Sequence, residues 1–140
     1  MPIFIVAQIK STLKTEAMKI RIKGNSVRLR LTKTDVQNLK DKGIVEEKTN
    51  LGTEEIFKYS LVVDENVSAL SAEFQANKIT VLLSKTEAEI LTETDEITIE
   101  GIQDNGEEKG LFLLVEKDLQ CLDTTSEDQS DMYENTKMHC

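Results

Sequence analysis

Met18 to Thr34, MKIRIKGNSVRLRLTKT, is the stretch whose reading decides the fold. Ile20 and Ile22 alternate with Lys19, Arg21 and Lys23. After Gly24-Asn25-Ser26, Val27, Leu29 and Leu31 alternate with Arg28 and Arg30. A period of two over this length marks strands with one buried face, and Gly24-Asn25 suits the turn of a hairpin. The outward face is then basic, formed by Lys19, Arg21, Lys23, Arg28 and Arg30, with no acidic residue before Asp35. Thr32 or Thr34 starts a helix, where Thr32-x-x-Asp35 approximates a capping box; a short stripe of Val36 and Leu39 follows, and Gly43 is the natural stop.

The pattern returns at an offset of 52 residues, where Asn25 meets Asn77. Val27, Leu29 and Leu31 meet Ile79, Val81 and Leu83; Thr32-Lys33-Thr34-Asp35 meets Ser84-Lys85-Thr86-Glu87; Val36 and Leu39 meet Ala88 and Leu91. Ser84-x-x-Glu87 is a full capping box. Strands are expected at Ile44 to Thr49 and Ile56 to Val63 after the first helix, with a turn at Asn50-Leu51-Gly52. In the second half they are expected at Leu70 to Gln75, Lys78 to Leu83, Glu96 to Ile102 and Leu111 to Val115. Asp104-Asn105-Gly106 supplies hairpin turn chemistry. The continuous apolar run of Leu111 to Val115 suits a strand buried on both sides.

Each half therefore reads strand–strand–helix–strand–strand, repeat one over residues 18–66 and repeat two over 70–116. The expected fold is mainly β: a β-barrel with two short helices, closed by packing the repeats about a pseudo-twofold axis so that few strand edges stay exposed. Residues 1–17 form an N-terminal extension, either an extra edge strand at Ile3 to Ile9 or a segment preceding a start at Met18. Residues 117–140 read as an acidic, mobile tail, in which six carboxylates (Asp118, Asp123, Glu127, Asp128, Asp131 and Glu134) face only Lys117 and Lys137.

The 140 residues carry 31% charged and 39% hydrophobic side chains and a formal charge of −9. That composition fits a globular domain able to bury a core without disulfides or metal. The acidic balance argues against general nucleic-acid affinity and leaves room for one local basic face. No apolar run reaches transmembrane length, and a reducing cytoplasm is the simplest compartment for a chain with only Cys121 and Cys140.

The element order, with Gly24-Asn25-Ser26-x-Arg28-x-Arg30-Leu31, resembles the swapped-hairpin barrels of bacterial transition-state regulators and addiction-module antitoxins. In those families two chains interlock into one DNA-binding barrel; here the resemblance implies an intrachain pseudo-dimer over roughly residues 18–116. Thr32 and Ser84 stand where those families usually carry proline before the helix, and the arginine comes one place early. The chain from Met18 also resembles a family of small uncharacterised bacterial proteins. That match runs through Met18 to Ser26, then Leu114-Val115-Glu116-Lys117-Asp118 with Cys121-Leu122, then Glu127-Asp128 and Asp131. It implies no activity.

Among candidate sites, Arg21, Arg28 and Arg30 can each fork to two anionic oxygens, while Lys19 and Lys23 act as point charges. The plainer reading is a solvated strand face, or one paired with acidic residues elsewhere in the chain, including the tail. The second hairpin is not basic: Glu73, Gln75 and Thr80 take its outward positions beside Lys78. Cys121, His139 and Cys140 lack zinc-finger spacing, so no metal and no cofactor is expected. With His139 the sole histidine, no nucleophile–base pair is evident. Glu116, Lys117 and Asp118 form the best polar cluster, suited to strand termination and ion pairing. The expectation is a non-enzymatic binding or regulatory module, monomeric or weakly dimeric. Its basic hairpin meets DNA or an acidic protein; the alternative is a protein–protein adaptor without a nucleic-acid role.

Overall fold

A computed structural model describes residues 17–119. The expected strand at Ile3 to Ile9, Cys121, His139, Cys140 and all but the first residues of the acidic segment lie outside the described residues. Within them the chain runs β1 (Lys19–Ile22), β2 (Ser26–Leu31), α1 (Lys33–Lys42), β3 (Ile44–Gly52), β4 (Glu55–Val63), β5 (Ser71–Gln75), β6 (Lys78–Leu83), α2 (Lys85–Glu93), β7 (Thr98–Gln103) and β8 (Leu111–Lys117). The fold is mainly β, as the period-two patterns require.

Local chemistry sets the helices. Thr32 accepts the backbone N–H of Asp35 at 3.1 Å while the Asp35 carboxylate accepts that of Thr32 at 2.9 Å. Ser84 and Glu87 make the same reciprocal pair at 3.1 and 3.0 Å. Each box satisfies two donors that a helix start leaves without an intrahelical partner. Gly43 ends α1 at φ 78°, with its N–H on the Leu39 carbonyl. The helices rest on each other and bury Leu39 and Leu91.

The strands form two four-stranded sheets, β1-β2-β8-β7 and β3-β4-β6-β5, with β2 parallel to β8 and β4 parallel to β6. Every sheet therefore joins one hairpin from each half of the sequence, so neither half can complete a sheet alone. The two sheets share backbone detail. Phe112 N–H donates to Asn25 as Lys58 N–H donates to Asn77, and Asp118 N–H donates to Leu31 as Asp64 N–H donates to Leu83. Their inward faces meet over Leu29, Leu31, Leu61, Val81, Leu83, Leu113 and Val115. Burial of each such side chain is worth roughly 1.5–3 kcal/mol.

The expected closed barrel is not found. A barrel needs a backbone ladder across every seam, and here side chains bridge the seams. Between β5 and β7 the Gln103 amide takes both polar groups of Ala72: it accepts from the backbone N–H at 2.6 Å and donates to the C=O at 3.0 Å. A carboxamide matches a peptide group in donor and acceptor, so one side chain stands in for one rung. At the other seam Tyr59 Oη donates to the Met18 carbonyl at 2.9 Å. Gln103→Ala is expected to destabilise the fold by about 2 kcal/mol in chemical denaturation, since two hydrogen bonds go and the Ala72 groups must find water. An unchanged midpoint would show that the seam needs no rung.

Two local expectations are also corrected, and one burial stands out. Ile22 is 55% exposed rather than buried, because β1 is an edge strand and its end projects past the core. Asn50-Leu51-Gly52 stays in β3, with a register shift between Asn50 and Gly52, and the chain reverses at Thr53-Glu54, where Glu54 takes φ 61°. Ser60, on the outward alternation of β4, is fully buried, and its hydroxyl has no hydrogen-bond partner. It sits on a central strand between Glu46 and Thr80.

Candidate functional site

The outward face of the first sheet gathers most of the expected basic residues. In the β1–β2 register Lys19 lies opposite Arg30 and Arg21 opposite Arg28. These are two like-charge cross-strand pairs, an arrangement that costs free energy unless anions lie near. Two shallow open depressions lie on this face. One, of about 220 Å³, is lined by Lys19, Ile20, Arg21, Arg28 and Arg30. The other, of about 160 Å³, is lined by Arg21, Lys23, Ser26, Arg28 and Phe112.

Strand β8 supplies counter-charge. Glu116 lies opposite Arg30 in the parallel register and accepts from its Nε and Nη2, both at 3.2 Å. The same carboxylate oxygen lies 3.7 Å from Arg28 Nε, and Asp118 pairs with Lys19 at 3.8 Å. The polar cluster at the end of β8 is thus part of the basic face, although 86 residues separate Arg30 from Glu116. Among the described residues, carboxylates of β8 and its extension pair with Lys19, Arg28 and Arg30 of this face. Beside it on the same side lie the outward residues Phe112, Leu114 and Ile102, of which Ile102 is 70% exposed.

The second sheet carries a basic row absent from either hairpin alone. Lys48 lies opposite Lys58, and Lys58 beside Lys78; each step joins different strands. Lys78 Nζ lies 2.7 Å from the Glu46 carboxylate. That hydrogen bond holds the Glu46 carboxyl below the ordinary carboxylate range; burial opposes the shift, and the charges of Lys78, Lys58 and Lys48 reinforce it. Burial raises the Tyr59 hydroxyl above its usual value, with Glu47 and Asp35 adding to the rise, which keeps Tyr59 a hydrogen-bond donor to Met18. Lys48 and Lys58 meet within one hairpin, and their meeting with Lys78 needs the parallel pairing of β4 with β6.

Among the described residues no group of three or more His, Cys, Asp or Glu could hold a metal ion, and no helix is long and apolar enough to cross a membrane. A family model described as a family of unknown function (DUF7009) matches residues 18–137. No curated protein and no solved structure matches the chain.

Proposed function

Because the chain belongs to this family of unknown function over residues 18–137, with both sheets inside the match, we propose a function from surface chemistry: a non-enzymatic binding module. Its working surface is the outward face of β1 and β2, and its ligand is polyanionic. The observation that carries this reading is the pair of like-charge cross-strand contacts, Lys19 with Arg30 and Arg21 with Arg28. On this face Lys19, Arg28 and Arg30 already engage the carboxylates of Asp118 and Glu116, and that chemistry supports an acidic ligand.

An acidic protein is favoured over DNA. The net charge of −9 opposes long-range approach to a duplex, and the face is only four to six residues long on each strand. The apolar flank of Phe112 and Ile102 suits a protein contact better than a phosphate track. DNA binding by the same face is the second reading, favoured by the arginine forks alone.

The double variant Arg28→Glu/Arg30→Glu is expected to lose at least ten-fold in affinity for heparin, a polyanion probe, at low salt. The wild-type affinity should fall steeply as salt rises. Equal binding by variant and wild type would remove the face from the function and favour an adaptor acting elsewhere.

We also infer that the two halves arose by duplication and interlock as swapped hairpins. The shared backbone bonds support this: one offset of 52 relates β1 and β2 to β5 and β6, and one of 54 relates β3 and β4 to β7 and β8. After duplication only the first half kept a basic β1–β2 face.

A further inference from the structure

The outward side of the second sheet sets three lysines in a row across adjacent strands: Lys48 on β3, Lys58 on β4 and Lys78 on β6. Neighbouring strands lie about 4.8 Å apart, so the long lysine side chains reach a common point above β4. The Glu46 carboxylate stands at that point. Glu46 lies opposite Ser60, reaches diagonally over β4 to Lys78 at 2.7 Å, and feels the charges of Lys58 and Lys48 as well. Lys48 and Lys58 are exposed. Beside the crossing, on the same side of the sheet, the Ser60 hydroxyl is fully buried and has no hydrogen-bond partner. The fold does not dictate this set. On the first sheet Ile102 lies opposite Phe112 as Lys48 lies opposite Lys58, Ser26 lies beside Phe112 as Lys78 lies beside Lys58, and Leu114 stands where Ser60 stands. One backbone arrangement thus carries a largely apolar row in one sheet and lysines around a buried hydroxyl in the other.

We propose that this cluster binds a phosphoryl dianion, held by the ammonium groups of Lys48, Lys58 and Lys78 and by the Ser60 hydroxyl, with Glu46 as the resident carboxylate that the ligand displaces. The site lies on the other sheet from the basic face described above and does not rest on it. Lys78 is not vacant in this scheme; it exchanges one anion for another. A carboxylate offers a single charge and two oxygens, whereas a phosphoryl group near neutral pH offers about 1.5 to 2 charges and three acceptor oxygens. Lysine receives such a group as a point charge. Ser60 has no partner while Glu46 holds Lys78. Once the carboxylate swings out to solvent, the hydroxyl donates to a phosphoryl oxygen and recovers the hydrogen bond whose absence costs free energy. A phosphodiester carries only one charge and gains little over the carboxylate already there, so a nucleic-acid backbone is a poor ligand for this site.

The test titrates the full chain near neutral pH with inorganic phosphate, with N-acetyl-phosphoserine amide and, as the singly charged control, with dimethyl phosphate, and follows the NMR amide shifts of Glu46, Lys58 and Ser60. Both dianions are expected to move the three amides together, and dimethyl phosphate to bind about ten-fold more weakly. Similar affinity for the two dianions supports the site and makes free phosphate its ligand; a clear preference for the phosphoserine compound supports it and makes a phosphorylated side chain the ligand. Glu46→Gln removes the resident charge and should tighten phosphate about ten-fold, while Lys58→Gln should weaken it about ten-fold. Ser60→Ala should weaken phosphate about three-fold yet leave the urea midpoint unchanged or raised, since an unpartnered buried hydroxyl contributes no stability. If Ser60→Ala does not fold, the two variants at exposed positions decide alone. Unchanged phosphate affinity in any folded variant of the three, equal binding of dimethyl phosphate, or no shift at these amides overturns the site. Arg28→Glu/Arg30→Glu, on the other sheet, should keep the phosphate response; its loss there would place the anion on the first sheet and overturn this proposal. Failure of the basic-face reading shows separately, as heparin affinity unmoved by that same double variant.

Discussion

Leu113→Ala is expected to destabilise the protein by about 3 kcal/mol and to lower the thermal midpoint by roughly 10 °C. Leu113 is fully buried on β8, the strand that lies between β2 and β7. Its register partners are Val27 on β2 and Gly101 on β7. Neither can fill the space, since Val27 is shorter and Gly101 has no side chain, so the cavity stays open and its cost adds to the lost burial. The comparison is Phe112→Ala, one residue earlier on the outward face and only half-buried, where less than half the effect is expected. Urea denaturation of both variants measures the difference. Similar losses at the two positions would mean that the inward and outward sides of β8 are not as distinct as the register requires.

Gly110→Ala is the second large effect, about 3 kcal/mol, from a left-handed backbone together with overpacking. Gly110 has φ 72°, and a Cβ there would lie 2.7 Å from the Gln103 carbonyl oxygen and 3.0 Å from Ile102 Cγ2. The backbone oxygen cannot yield without moving the end of β7. That movement would pull the Gln103 amide off Ala72 and open the seam between the sheets. Gly110→Ala and Gln103→Ala should therefore be non-additive: the double variant should cost clearly less than the two single losses together. Additive losses would show that the strain at Gly110 stops at the turn and does not reach the seam.

Much of the architecture was legible in the chain. The alternation from Met18 to Leu31 fixed the first hairpin, the capping box at Ser84 placed the second helix start, and of the two starts open for the first helix, Thr32 and Thr34, it is Thr32 that caps. Gly43 marked the end of α1. These features are local: they depend on residues within one turn or one hairpin, so spacing alone carries them. The end of β3 was misplaced because Asn50 and Gly52 are turn formers by habit, whereas the ladder with β4 continues past them through a bulge.

The candidate face was legible only by half. Its cations share one hairpin and could be read as one row. Its counter-charges could not, because Glu116 reaches Arg28 and Arg30 through parallel pairing across most of the sequence. The lysine row on the second sheet has the same origin.

By itself the sequence determined the elements, their caps and the basic hairpin, since each of these rests on periodicity and short-range hydrogen bonding. Only the tertiary structure decided that hairpins from opposite halves share each sheet and that no ladder closes the barrel. It also decided that Gln103 stitches one seam while Tyr59 reaches Met18 at the other. Those outcomes depend on which edges come within hydrogen-bonding reach, a property of the packed molecule that no local spacing records.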